Sequence, residues 1–438
     1  MNKLLKLSLL LITVLTLNSC KRDLSNVPSE KTSNEKVTFH KLMINGNETI
    51  IKEAEGKYYF SDDEILSERQ FNILKRMANT SLGTIERSTI LTDFTKKWTG
   101  GIWYYKIQSN RSSDIFTAMS WISSVTNIQF IPRTNQDNYV TIYDTNESSS
   151  SSNAIGMESG KKEIYLSASQ PTGTIAHEIM HSLGVFHEQC RPDRNNYITV
   201  HMDLIPDNLK YQYNIFPSSQ GLGPFDFDSI MLYGSNAYMQ KTDGTYWAYQ
   251  RDHLSAGDIQ GLATLYGGKL SGPDQICTEG TFTSSTGAVT IENASGIATL
   301  TSLGNNQWKV NRIGNANGKV KLNSTNTYKE VTIGTYNNIT NNGGNTIAGG
   351  INTGISAEIS ASNATYIWEA TGGIVVSGQG TPNVVVRPGA NNSSTVSNAF
   401  GLRLTFSNSC GTITIDRTLW VPPGGGGSTP DPGDGEVL

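Results

Sequence analysis

At 438 residues with 37% apolar side chains, the chain is too long for one ordinary domain, and about two to four folding units are expected. A formal net charge of -4 leaves no basic footprint, which argues against nucleic acid or a strongly anionic surface as a partner. Four cysteines, Cys20, Cys190, Cys277 and Cys410, are too few and too scattered for a disulfide framework or a CxxC zinc site, so folding must rest on packed cores.

The chain opens with Met1-Asn2-Lys3-Leu4-Leu5-Lys6, a mostly apolar run to Leu17, and Asn18-Ser19-Cys20. A charged start, a short apolar stretch and a small-residue exit define an export signal over residues 1–19, so the rest is expected outside the cytoplasm. No other segment approaches the roughly 20 apolar residues of a membrane helix. Leu17-Asn18-Ser19-Cys20 also resembles a bacterial lipobox, which leaves two fates open: a lipid on Cys20, or plain secretion.

Residues 20–87 are polar and charged, and Ser67 to Met77 places apolar side chains at helical spacing. Lying between an export signal and a larger mixed region, this stretch reads as a pro-segment. From Trp98 the pattern is mixed. A strand is predicted at Ile102 to Ile107, a helix from Asp114 carrying Ile115, Ala118, Met119 and Ile122 on one side, strands at 128–131, 139–143 and 163–166, and a helix over Ser255 to Tyr266. The order is α+β rather than alternating βα.

His177-Glu178-Ile179-Met180-His181 puts two histidines at i and i+4, so on a helix both imidazoles leave one face and can share a zinc ion. Gly184 can stop the helix cheaply with left-handed backbone angles and turn the chain back to deliver His187. Three neutral ligands leave one position for water, the mark of a catalytic rather than a closed structural site. Glu178, beside the first ligand, is then the candidate general base and acid. A helix whose histidines merely pack is the bland alternative, and the joint spacing of all four groups weighs against it.

The run from His177 through Gly184, His187, Glu188, Arg191, Asp193 and Arg194 to Tyr197 resembles the extended signature of the astacin family of metzincin zinc metalloendopeptidases, as found in bacteria. Ser229-Ile230-Met231-Leu232-Tyr233 resembles that family's Met-turn, and the fragments Trp98-Thr99-Gly100-Gly101 and Phe130 to Thr134 extend the likeness over roughly residues 88–268. The resemblance implies a metzincin-type domain with a twisted mixed sheet and an active-site helix. It implies one catalytic zinc ion held by His177, His181, His187 and Tyr233, with Tyr233 also catalytic and Met231 as an apolar floor. It further implies that Glu188 contacts the mature N-terminus, set near Arg87-Ser88 by cleavage. Family members usually carry two disulfides in this domain, whereas here it holds only Cys190.

An open zinc position in an exported protease needs a block, and two candidates exist. Phe60-Ser61-Asp62-Asp63 resembles the family's aromatic-x-Gly-Asp latency motif, with Asp63 as blocking ligand although Asp62 replaces the glycine; Cys20 is the rival if it escapes lipidation. The pro-segment would thus be the enzyme's own inhibitor, and a lipid on Cys20 would anchor only the zymogen.

Beyond Gly267-Gly268 the composition turns to Thr, Ser, Asn and Gly with short alternating runs, and one or two all-β sandwich modules are expected. Trp368-Glu369-Ala370-Thr371-Gly372-Gly373 resembles bacterial Ig-like or PKD-like repeats. The Asn- and Gly-rich stretch 341–354 reads as a junction, giving modules at 270–338 and 345–422 and a flexible tail at 423–438. Cys277 and Cys410 are a candidate disulfide. The leading expectation is a monomeric secreted endopeptidase acting on proteins or peptides; Lys241 and Arg251 lie in a region that shapes the primed-side pocket in the family, so the resemblance implies a preference for acidic residues after the scissile bond. The other reading is a surface adhesion or binding protein with a vestigial metal site.

Overall fold

The computed structural model describes residues 36–79, 94–216, 221, 223–361, 363–393 and 395–423. The export signal, Cys20, Arg87, Ser88 and the tail from 424 lie outside the described residues. No helix among the described residues is long and apolar enough to cross a membrane.

The first unit is a four-stranded antiparallel meander, β1 (Thr38–Ile44), β2 (Asn47–Ala54), β3 (Lys57–Tyr59) and β4 (Ile65–Leu66), followed by helix α1 (Glu68–Asn79). The β1–β2 turn is Asn45-Gly46 with φ of 51° and 80°, both left-handed, as a two-residue hairpin matched to strand twist requires. Only the helix is anticipated by sequence periodicity. α1 buries Phe71, Ile73, Leu74 and Met77 against Ile44, Ile51, Phe60 and Leu66, and this core continues into Phe94, Ile155, Cys190 and Phe216 of the next unit.

That unit is built on a five-stranded sheet in the order β6-β5-β7-β9-β8. β5 (Ile102–Gln108), β6 (Gln129–Pro132), β7 (Tyr139–Thr145) and β9 (Lys161–Ser167) run parallel, while the short edge strand β8 (Ser151–Ser152) is antiparallel to β9. Two helices, α2 (Ser112–Val125) and α3 (Thr172–Ser182), pack together against the sheet. Trp103, Ile115, Ile122, Val140, Ile164, Ile175 and Ile179 form the core between them. After α3 the described residues are largely irregular, with one small ribbon of β10 (Ile198–Val200) and β11 (Met239–Lys241), until α4 (Ala256–Tyr266). A capping box formed by Ser255 and Asp258 starts α4, and the same Asp258 carboxylate accepts bonds from Ser229 Oγ at 2.7 Å and Ile230 N at 2.9 Å. The helix cap thus fixes the turn that carries Met231 and Tyr233.

Backbone bonds from Gly268 N to Thr325 O (2.8 Å) and from Lys269 N to Val125 O (3.1 Å) join this unit to a sandwich of two four-stranded sheets around Phe282, Val310, Leu322 and Val331. A second sandwich, of four and three strands, encloses Trp368, Val386, Phe400 and Phe406. The architecture is therefore α+β followed by all-β modules. The stretch 341–354 is not the junction its composition indicates: Ile339 and Ile347 lie in the second core and Thr346 bridges Trp420, so the sandwiches meet around residues 334–338. Cys277 of the first and Cys410 of the second are joined by a disulfide.

Candidate metal centre

Every residue of α3 from Gly173 to Ser182 is buried, so this helix runs through the interior and carries His177, Glu178 and His181 into it. Gly184 ends it with φ at 98°, its N–H bonded to His181 O at 2.9 Å, and a Cβ there would stand 2.6 Å from Thr95 Cγ2. Glycine is thus demanded twice, by backbone angle and by space. The reversal brings His187 back to the helix: His177 Nε2 lies 3.0 Å from His181 Nε2 and 3.2 Å from His187 Nε2.

The fourth corner is Asp63, from the loop between β3 and β4. Its Oδ2 is 3.4 Å from His177 Nε2 and 3.2 Å from His187 Nε2, and Tyr233 donates its hydroxyl to Oδ1 at 3.0 Å. Zinc with bonds of about 2.0–2.1 Å sets tetrahedral ligand atoms roughly 3.3–3.4 Å apart, so the three histidines and Asp63 fit one such ion. The remaining ring nitrogens are aimed by the protein: His177 Nδ1 pairs with Ile230 O and His181 Nδ1 with Val185 O, each at 2.9 Å. Donation of the Nδ1 proton leaves Nε2 free to ligate.

Burial holds the site neutral where it can. It pushes the imidazole of His177 down to about 4, helped by the Arg251 charge, and that of His181 down to about 3, helped by His177. At His187 burial acts the same way, but the Asp63 and Glu64 carboxylates overrule it and hold that ring well above its usual value. Burial also raises Glu178 well above the carboxylate range, reinforced by the Asp63 charge, and Glu178 Oε2 has no hydrogen-bond partner. An orphan carboxylate oxygen beside a ligand set is the arrangement a proton-transfer group needs.

The other predicted residues fall around this centre. Met231 is buried with Ile179, Met180 and Ile230 in the main core, and Tyr233 places its ring 4.5 Å from that of His187. Glu188 borders a cavity of about 320 Å³ lined also by Phe94, Gly184, Asp226 and Asp258; it accepts from Asp226 N at 2.8 Å and pairs with Arg191 at 3.0 Å. Burial lifts its carboxyl to about 7. Cys190 is a buried free thiol. Lys241 sits over the Phe227 ring, whereas Arg251 is buried beneath Tyr249 with Nη1 on the Leu232 and Gln250 carbonyls and Nε unpartnered.

Sequence reasoning missed Glu64 and Glu158. Glu64 is fully buried beside His181 and His187. Glu158, also buried, binds Arg69 and Ser67 of the N-terminal unit. The nearest signal was Asp62-Asp63-Glu64 wedged between Phe60 and Ile65-Leu66, an acidic run too closely flanked by apolar residues to be a solvated turn. Replacing Arg69 with alanine leaves the buried Glu158 carboxylate with Ser67 but without its counter-charge, and docking of α1 should weaken by about 1–3 kcal/mol. Limited proteolysis should then cut within residues 36–79 faster than in the parent chain.

The N-terminal unit also uses the sheet edge. Ser152 N donates to Asp63 O at 3.0 Å, and Glu64 bridges Ser152 in parallel. Asn214 clamps the unit from the other side through Ile50 and Phe60.

Fold and site define the class: a metallopeptidase domain whose active-site helix supplies two of three histidine ligands. Residues 90–267 match the model of the peptidase family named Astacin. Flavastacin of Elizabethkingia meningoseptica is 39% identical over 297 residues, covering 62% of this chain and 66% of that protein. Astacin-like metalloprotease toxin 2 of Loxosceles intermedia is 38% identical over 168 residues, 35% of this chain and 65% of the toxin. Among solved structures, high choriolytic enzyme 1, a hatching enzyme zinc-protease of the medaka fish Oryzias latipes, is 26% identical over 40% of this chain and 94% of its own, with a TM-score of 0.36. The chain belongs to the astacin family of zinc metalloendopeptidases, and zinc is the metal its histidine triad is suited to hold. It spans about two thirds of the length of the first two of these relatives.

Proposed function

We propose that the chain is a secreted zinc endopeptidase made as a zymogen, with residues 20–87 as pro-segment and Asp63 filling the fourth coordination position until cleavage near Arg87-Ser88. The observation that carries this is the Asp63 carboxylate within 3.4 Å of His177 Nε2 and 3.2 Å of His187 Nε2, where a substrate's carbonyl would have to enter.

Once Asp63 leaves, His177, His181 and His187 would hold the metal, and water would have access beside Glu178. Zinc bound there would polarise the scissile carbonyl and make the water more acidic. Glu178 takes the water's proton and returns it to the leaving amine, its low-dielectric setting keeping its affinity for a proton high. Tyr233, released from Asp63, could then serve as a further ligand or donate its hydroxyl to the substrate oxygen that gains negative charge. Met231 keeps the floor apolar. Glu188, at the wall of the 320 Å³ cavity, receives the new amino terminus. The alternative, an adhesion protein with a vestigial site, has no use for a buried carboxylate with an unpartnered oxygen.

The test is processing of the purified full chain. Mass spectrometry should find Ser88, or a residue within a few of it, at the new N-terminus of the soluble form, whether Cys20 is lipidated or not. Casein cleavage by that form should vanish after dialysis against a strong chelator and return with zinc. Activity that survives complete zinc removal would end the proposal.

Arg251 supports a substrate preference. Its guanidinium lies within electrostatic reach of His177, so its positive charge would favour an acidic side chain after the scissile bond. Profiling cleavage sites in a peptide library should reveal about tenfold enrichment of Asp or Glu at that position, lost in Arg251→Met. A flat profile from the parent enzyme would rule out this pocket.

A further inference from the structure

The three histidine ligands are not oriented alike. His177 and His181 each have a backbone carbonyl of their own domain, Ile230 O and Val185 O, at 2.9 Å from Nδ1. His187 has no such carbonyl. At its Nδ1 stands Glu64 of the pro-segment, with Oε2 at 3.0 Å, a pairing distance although the angle is too bent for a regular hydrogen bond. The same carboxylate places Oε1 3.5 Å from His181 Nδ1 and 3.4 Å from His187 N.

Glu64 is fixed there by its surroundings. Ser61 Oγ donates to Oε2 at 2.9 Å, and Glu64 N donates back to Ser61 Oγ at 3.1 Å. The group is fully buried, so its charge is compensated only by the imidazoles and these donors. Cys190 is the other group within reach of His187 and Glu64, and a thiol is a weak acceptor.

A carboxylate behind a ligating imidazole fixes the ring and raises its basicity toward the metal, and loss of such a partner typically costs about 10- to 100-fold in affinity. We propose that Glu64 is a positioning residue that makes the zymogen a tighter zinc binder than the processed enzyme, so that the pro-segment loads the metal as well as blocking it. The inference rests on the zinc-peptidase reading and separates from it: Asp63 occupies the reacting face of the site, Glu64 the outer face of a ligand.

The experiment measures equilibrium zinc affinity of the full-length unprocessed chain by competition with a chromogenic chelator. Glu64→Gln should weaken it by about tenfold or more, while the cobalt-substituted protein keeps a four-donor spectrum. Equal affinity in parent and variant overturns the inference and leaves the peptidase reading intact; a parent chain that binds no zinc overturns both. Should Glu64→Gln fail to fold, unprocessed Asp63→Asn is compared with the processed parent. Neither offers the Asp63 carboxylate and only the first retains Glu64, so about tenfold tighter binding by the unprocessed protein is expected. Indistinguishable affinities overturn the inference by that route too.

Discussion

Replacing Glu178 with alanine in the processed enzyme should lower kcat/KM for a peptide substrate by about 10²–10⁴-fold while the zinc content stays at one ion per chain. Glu178 is not among the residues grouped around the candidate ion, which are Asp63, His177, His181 and His187, so its removal takes no ligand away. Nor does the change break a hydrogen bond at Oε2, since that atom has none, and the thermal midpoint should move little. His181→Ala should behave differently, losing the metal together with activity. If Glu178→Ala cleaves casein at the parent rate, another group carries the proton and the mechanism assigned to this residue is wrong.

Asp63→Ala should convert a silent zymogen into one that hydrolyses small peptides without processing, a gain of about 10²-fold if the lost carboxylate–metal contact is worth about 3 kcal/mol. The substitution removes one corner of the coordination tetrahedron and the acceptor of the Tyr233 hydroxyl. It leaves untouched the apolar contacts of Ile44, Ile51, Phe60, Phe71 and Leu74 that dock the N-terminal unit. Size-exclusion and limited proteolysis should therefore report an unchanged particle. A fully metallated Asp63→Ala chain that stays silent would mean latency is steric, imposed by strand pairing along β8 rather than by coordination.

Local sequence spacing made the metal-binding helix legible, because HExxH and Gly184 act within one helix and its exit. Asp63 was legible only through resemblance to a latency motif, since its partners His177, His187 and Tyr233 lie 114, 124 and 170 residues away. Glu64 and the Arg69–Glu158 pair had no motif to announce them. Both depend on contacts across the interface of two units, 123 and 89 residues apart, which periodicity cannot see. The β1–β4 meander was hidden by charged residues between its apolar ones, although Asn45-Gly46 and Glu55-Gly56 are its turns. At 341–354 the error ran the other way. Turn-forming residues can lie inside a module when one apolar side chain, here Ile347, is tucked into its core.

Phe60, Phe71 and Leu74 occupy the same apolar core as Phe94, Ile155, Cys190 and Phe216. On the zymogen reading proposed above, activation would be less the drawing of a plug than the stripping of half a wall, because the catalytic half shares that core with the N-terminal unit. Cutting would then leave Phe94, Ile155 and Phe216 without the side chains that cover them, so the freshly processed form should adhere to other apolar surfaces.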